Sequence, residues 1–243
     1  MRLSKLVAVL GAASSALAIM AAPAAAGSND KLTCDGVFAG VNVKDVIVPR
    51  NGACTLTDSK VRGEVKVAKN AYFQATGTSV KEDVEGHSAQ TIFIDTGSNV
   101  RGDVEANKTA QVLIYNAKVT GSIQVRRATD KVQICGTTVR KGDIDVERSG
   151  QDILIGDPLA IECDGNDVKQ GDVSIEDNDT DRELVVRGNQ IRRGSLEVSG
   201  NDGPSGKFVE GNTGGRTLKC KGNDSPFSST GNTGWRREKG QCA

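Results

Sequence analysis

Four carboxylates recur in two pairs, Asp83 with Glu85 and Asp103 with Glu105, each pair two residues apart and the pairs twenty residues from one another. Residues two apart on a strand share a face, so strands stacked in register would gather all four in a patch of about 5 by 7 Å. Like charges so placed repel. Calcium, a hard cation that takes oxygen ligands, relieves that repulsion, and these four residues are the candidate metal ligands. A basic row runs beside them: Arg62, Arg101, Arg140, Lys141, Lys169, Arg192 and Arg193. The competing reading is plain. Outward strand positions must be polar, and acidic and basic rows can neutralise each other with no ligand.

Other chemistry finds less support. His87, the only histidine, follows Gly86 and reads as a solvated turn residue, because no motif places a serine or cysteine nucleophile with it. One histidine is too few for a His-rich zinc site. No G-x-x-x-x-G-K-[ST] and no Rossmann glycine triplet opens a helix. Thr55, Thr57, Thr76, Thr78, Thr137 and Thr138 do not recur at one outward offset, which excludes a threonine array of the kind that binds ice. The six cysteines, Cys34, Cys54, Cys135, Cys163, Cys220 and Cys242, form no C-x-x-C pair and in an exported chain read as disulfides, with fifteen connectivities open.

The elements that must position these residues repeat. An apolar residue, a turn carrying Gly and two alternating apolar residues recur as Val61 to Val67, Val100 to Val104, Val119 to Val125, Val139 to Val146, Val168 to Ile175 and Ile191 to Val198. Val80 to Val84 fits with Glu82 in the Gly place, and Val43 to Val48 is a degenerate first copy. Val46, Val65, Val84, Val104, Ile123, Ile144, Val173 and Leu196 mark the period, at intervals of 19 to 23 residues with one of 29. The long interval places an insertion near Gly156-Asp157-Pro158. Each copy carries a second apolar run: Cys54 to Leu56, Phe73 to Ala75, Ile92 to Ile94, Val112 to Ile114, Val132 to Ile134, Ile161 to Cys163 and Leu184 to Val186.

Strands this short leave no room for crossover helices. A β-sandwich has no reason to repeat one sequence at this interval, whereas stacked coils bury together a core that no single coil could bury alone. The expectation is an all-β, single-domain solenoid of about eight or nine coils of 19–23 residues, with an N-terminal cap at 27–42, repeat coils at 43–212 and a C-terminal cap at 213–243. Gly-Asn dipeptides at 165, 188, 200, 211, 222 and 231 are expected to supply positive φ at corners. Residues one period apart become neighbours. Sequential pairing, Cys34 to Cys54, Cys135 to Cys163 and Cys220 to Cys242, then fits the coils.

The start, Val46-Ile47-Val48-Pro49 followed by Gly52-Ala53-Cys54-Thr55-Leu56, and the end, Leu218-Lys219-Cys220-Lys221-Gly222-Asn223 with Gly231-Asn232 and Gln241-Cys242, resemble small exported β-helix proteins of actinobacteria. The resemblance implies a bacterial source and a right-handed parallel β-helix, the architecture shared by pectate-lyase-like enzymes, which hold calcium at acidic clusters on the sheet surface. It transfers no catalytic motif.

Arg2 and Lys5, an apolar run from Leu6 to Met20 and Ala24-Ala25-Ala26 form a signal-peptide pattern over 1–26, so the chain is expected to be secreted and extracellular. No later apolar run is long enough to span a membrane. Without Arg2 and Lys5, 29 basic residues face 31 acidic ones, which argues against a nucleic-acid partner. Aromatic residues are 3% of the chain, too few for an evident sugar-stacking groove. The favoured expectation is therefore a non-catalytic, monomeric, rigid scaffold for cell-wall or matrix polysaccharide or a cell-surface protein, with no cofactor beyond the calcium just considered. The alternative is a calcium-assisted polysaccharide lyase with Arg or Lys as base.

Overall fold

The computed structural model describes residues 31–156 and 163–243. The leader, residues 27–30 of the expected cap, the insertion at 157–162 and Ile161 lie outside the described residues. Every regular element among the described residues is a β-strand. Three sheets of eleven, ten and nine strands run along the molecule, and each strand pairs in parallel with those one coil before and after it. The fold is a parallel β-solenoid of about ten coils.

The residues that define the sequence period form one buried row. Val46, Val65, Val84, Val104, Ile123, Ile144, Val173 and Leu196 pair in succession on the first sheet, and none is more than 1% exposed. Alternation puts one face of each strand inside, and β-branched side chains suit that pleated surface. The second sheet repeats the pattern through Cys54, Phe73, Ile92, Val112, Val132, Ile153 and Leu184. Here one expectation is corrected. The strand after Lys131–Cys135 is Gly150–Gly156, and Cys163 lies in no strand. Ile153 and Ile155 restore the inward alternation one ordinary period after Val132 and Ile134, so the additional residues follow that strand.

Three further differences concern the coil itself. The apolar residue before each turn glycine belongs to a separate third sheet of two-residue strands, from Asn42–Val43 to Thr213–Gly214, so a coil has three sides. The coils also number more than eight or nine. Leu32–Thr33 and Gly36–Ala39 at one end, and Thr217–Lys221, Phe227–Thr230 and Arg237–Gly240 at the other, extend the stack through segments expected as caps. Their side chains carry little of the repeat pattern, and all four residues of Arg237–Gly240 are exposed. Eleven strands at the usual spacing span about 48 Å.

The Gly-Asn corners divide their work between the two residues. Gly188, Gly200, Gly211, Gly222 and Gly231 have φ between +61° and +66°, whereas Gly165, expected to do the same, has no positive φ; the asparagines point inward as ladders. Asn166, Asn189, Asn212 and Asn232 form one ladder, each Nδ2 donating to the next Oδ1 at 2.9–3.0 Å. Asn178, Asn201 and Asn223 form another at 2.8 Å. The cysteines pair sequentially, as the period requires, with Cα separations of 5.3, 5.7 and 5.2 Å inside the range a disulfide spans.

Candidate functional site

The corner between the third and first sheets carries the charged residues. Asp83, Asp103, Asp143 and Asp172 stand immediately before first-sheet strands, and their carboxylates turn along the stack instead of outward. Asp83 Oδ1 accepts the N–H of Asp103 at 2.7 Å, Asp103 Oδ1 that of Ser122 at 2.6 Å, Asp143 Oδ1 that of Asp172 at 2.7 Å, and Asp172 Oδ1 that of Ser195 at 2.7 Å. Glu85 and Glu105 lie side by side on adjacent strands, and Lys66 reaches Glu85 at 4.0 Å. The four expected calcium ligands thus reach adjacent coils. Two of them are held by backbone donors, and the described residues contain no group of three or more carboxylate, histidine or cysteine side chains poised for a metal ion.

On the same outward row, two strands further on, Asp145 is half-buried. Burial first, then the charges of Asp143, Glu176 and Asp172 against the pull of Arg126, push its carboxyl up to about 6.

The basic row is longer than its sequence pattern indicated. Lys44, Arg62, Lys81, Arg101, Thr120, Arg140, Lys169 and Arg192 each follow a third-sheet strand directly, so seven cations occupy eight successive levels. Lys44 reaches Asp45 at 3.9 Å and Arg192 grips Asp167 at 2.7 Å. Among the described residues, Arg62, Lys81, Arg101, Arg140 and Lys169 pair with no carboxylate. Lys141 and Arg193 follow Arg140 and Arg192 and are exposed. Lys44 and Lys81 escaped the sequence pattern because no glycine follows either of them.

Beside this row the outer surface of the third sheet is concave. Cavities of about 590 Å³ between Lys44 and Arg101, about 330 Å³ between Gly97 and Arg140, and about 510 Å³ between Gln190 and Gly234 lie in line along it. Two-residue strands with short outward residues such as Ser79, Asn99 and Thr138 leave this space open. The arrangement can hold an extended anion.

His87 ends the strand Val84–His87 instead of lying in a turn, and it is exposed. Its neighbour Gly86 points inward, where a Cβ would overlap Ile92. The second sheet gathers aromatic residues that composition did not reveal. Tyr72, Phe93 and Tyr115 lie half-buried on its outer face in three successive coils. The Phe93 and Tyr115 rings meet edge to face at 5.3 Å, and the two tyrosine hydroxyls donate to Gln74 and Gln133 at 2.9 Å. Burial, then the Asp95 charge, raises both phenols. Their placement at outward positions of the alternation was the available signal.

Comparison with protein-family models, curated proteins and solved structures gives no match for the chain.

Proposed function

We propose that the chain is an exported, non-catalytic scaffold that binds an extended acidic polymer, a cell-wall or matrix polysaccharide, along the third-sheet groove. One observation carries the reading: seven cations stand on eight successive levels beside a face that carries three cavities, and five of them lack a carboxylate partner. A row repeating at one-coil spacing suits a partner that repeats too. The parallel stack supplies the rigidity, since every coil between the two ends is bonded on both sides, and a single chain suffices for the groove. The leader pattern and the three cystine pairs are compatible with export.

The competing calcium-assisted lyase needs Asp83, Glu85, Asp103 and Glu105 free to coordinate, and the backbone bonds of Asp83 and Asp103 weigh against it. The test is binding and degradation of a panel of acidic polysaccharides, with neutral dextran as control and with calcium present or chelated. Saturable binding to an acidic polymer, weakened by salt and by the Arg101→Gln/Arg140→Gln double variant, supports the scaffold. Release of unsaturated oligosaccharides overturns its non-catalytic part.

A further inference from the structure

We infer that the cavity between Lys44 and Arg101 is a discrete oxyanion site, the anchor at which one carboxylate, sulfate or phosphate substituent of the polymer is gripped. The inference rests on the groove reading and adds a defined place and chemistry to it. Five cations line this cavity, Lys44, Lys60, Arg62, Lys81 and Arg101, against one carboxylate, Glu82. Four of them occupy successive coils, about 14 Å from first to last. Ser79 is stacked on Lys60 in the third sheet and is too short to fill the space above it.

Arg62 separates this place from the rest of the row. Its Nε and Nη2 are shielded from water and have no hydrogen-bond partner. Those two nitrogens form the guanidinium edge that forks a carboxylate or a phosphate with two parallel bonds. A buried donor left unpaired is costly, and more so when it is charged. Here the neighbours are further cations, which raises the cost. An oxyanion seated in the cavity satisfies both donors once the Arg62 side chain turns its guanidinium edge toward it, and it offsets the repulsion at the same time. Lysine could supply the charge at this position but not the fork.

The experiment uses the mature chain and three small probes, sodium sulfate, sodium phosphate and sodium galacturonate, each against sodium chloride at matched ionic strength. Calorimetry is expected to show one saturable site per chain for at least one probe, and the three arms identify which oxyanion it prefers. Arg62→Lys, which keeps the charge, is expected to weaken that binding at least tenfold while leaving the chain folded, with a melting temperature without probe no lower than that of the unaltered chain. Lys131→Gln, on the second sheet, is expected to leave it intact. A response no different from chloride overturns the site, and so does Arg62→Lys binding as tightly as the unaltered chain. Polymer binding separates the two readings. If the polymer binds the unaltered chain and Arg62→Lys equally, the discrete site fails while the groove stands. If a small oxyanion binds at Arg62 and no acidic polymer binds at all, the site stands and the groove reading fails.

Discussion

The carboxylate of Asp83 accepts the backbone N–H of Asp103 at 2.7 Å, and the same oxygen occupies the place a side chain on Gly102 would need. Glycine and aspartate therefore work as a unit: the missing Cβ on one coil admits the carboxylate from the coil before. The same overlap recurs at Gly63 with Asp45 and at Gly121 with Asp103. What the sequence displays as a Gly-Asp repeat is a cap on the corner N–H groups.

Gly102→Ala is expected to destabilise the fold by about 1–3 kcal/mol, the usual range for overpacking. Its Cβ would overlap Asp83 Oδ1 and lie 2.7 Å from the carbonyl carbon of Glu82, which as backbone cannot swing aside. Urea denaturation measures the loss. Adding Asp83→Ala should recover only part of it, because the backbone overlap persists.

Asn189→Ala is expected to cost about 3 kcal/mol, since it leaves several buried groups without partners. Asn189 Nδ2 donates to the Ile155 carbonyl and to Asn212 Oδ1, both at 2.9 Å, and its Oδ1 receives the backbone and side-chain N–H of Asn166 at 3.1 and 2.9 Å. Asn99→Ala, on the outer face of the third sheet, should change stability by less than about 0.5 kcal/mol. Equal effects of the two substitutions in urea would contradict the ladder's contribution.

Calcium and sodium at equal ionic strength are expected to shift the melting temperature equally, by screening Glu85 from Glu105. Asp103→Asn keeps an oxygen to accept the Ser122 N–H and should be close to neutral. A rise specific to calcium, reversed by chelator and abolished by Asp103→Asn, would restore the cation site and with it the lyase reading. Scanning fluorimetry with both salts decides it.

Asp145 should make the protein less stable as pH rises from about 4 to 6. Its folded carboxyl titrates at about 6 against 3.8 for the free group, so between those values the folded chain holds a proton that the unfolded chain has released. The penalty is absent below the lower value and complete above the upper one. Asp145→Asn is therefore expected to raise the melting temperature at pH 7 by about 2–4 °C, equivalent to about 1 kcal/mol after solvent screening. At pH 3.5 it should do nothing. An equal gain at both pH values would point to packing instead of charge.

The spacing of Val46, Val65, Val84 and their successors determined the solenoid without any coordinates, because an inward row one coil apart must recur in the sequence at the coil length. Sequential cysteine pairing followed for the same reason: Cys34 and Cys54 are neighbours once a coil is about twenty residues. What the tertiary structure alone decided were the directions of side chains at corners. Asp83 and Asp103 share an outward-looking pattern with Glu85 and Glu105, yet turn along the stack because the next coil offers an unpaired N–H. Asn189 could have supplied the left-handed corner itself, but Gly188 does so, and the amide enters the core where coils on either side complete its bonds. The strand at Gly150–Gly156 displaced the expected run at Ile161 to Cys163 because register is set by pairing with Val132 and Ile134. The third sheet, with its groove and the orphaned edge of Arg62, comes from two-residue strands whose single inward residue recurs in the sequence but does not show there as a strand separate from the one that follows the turn.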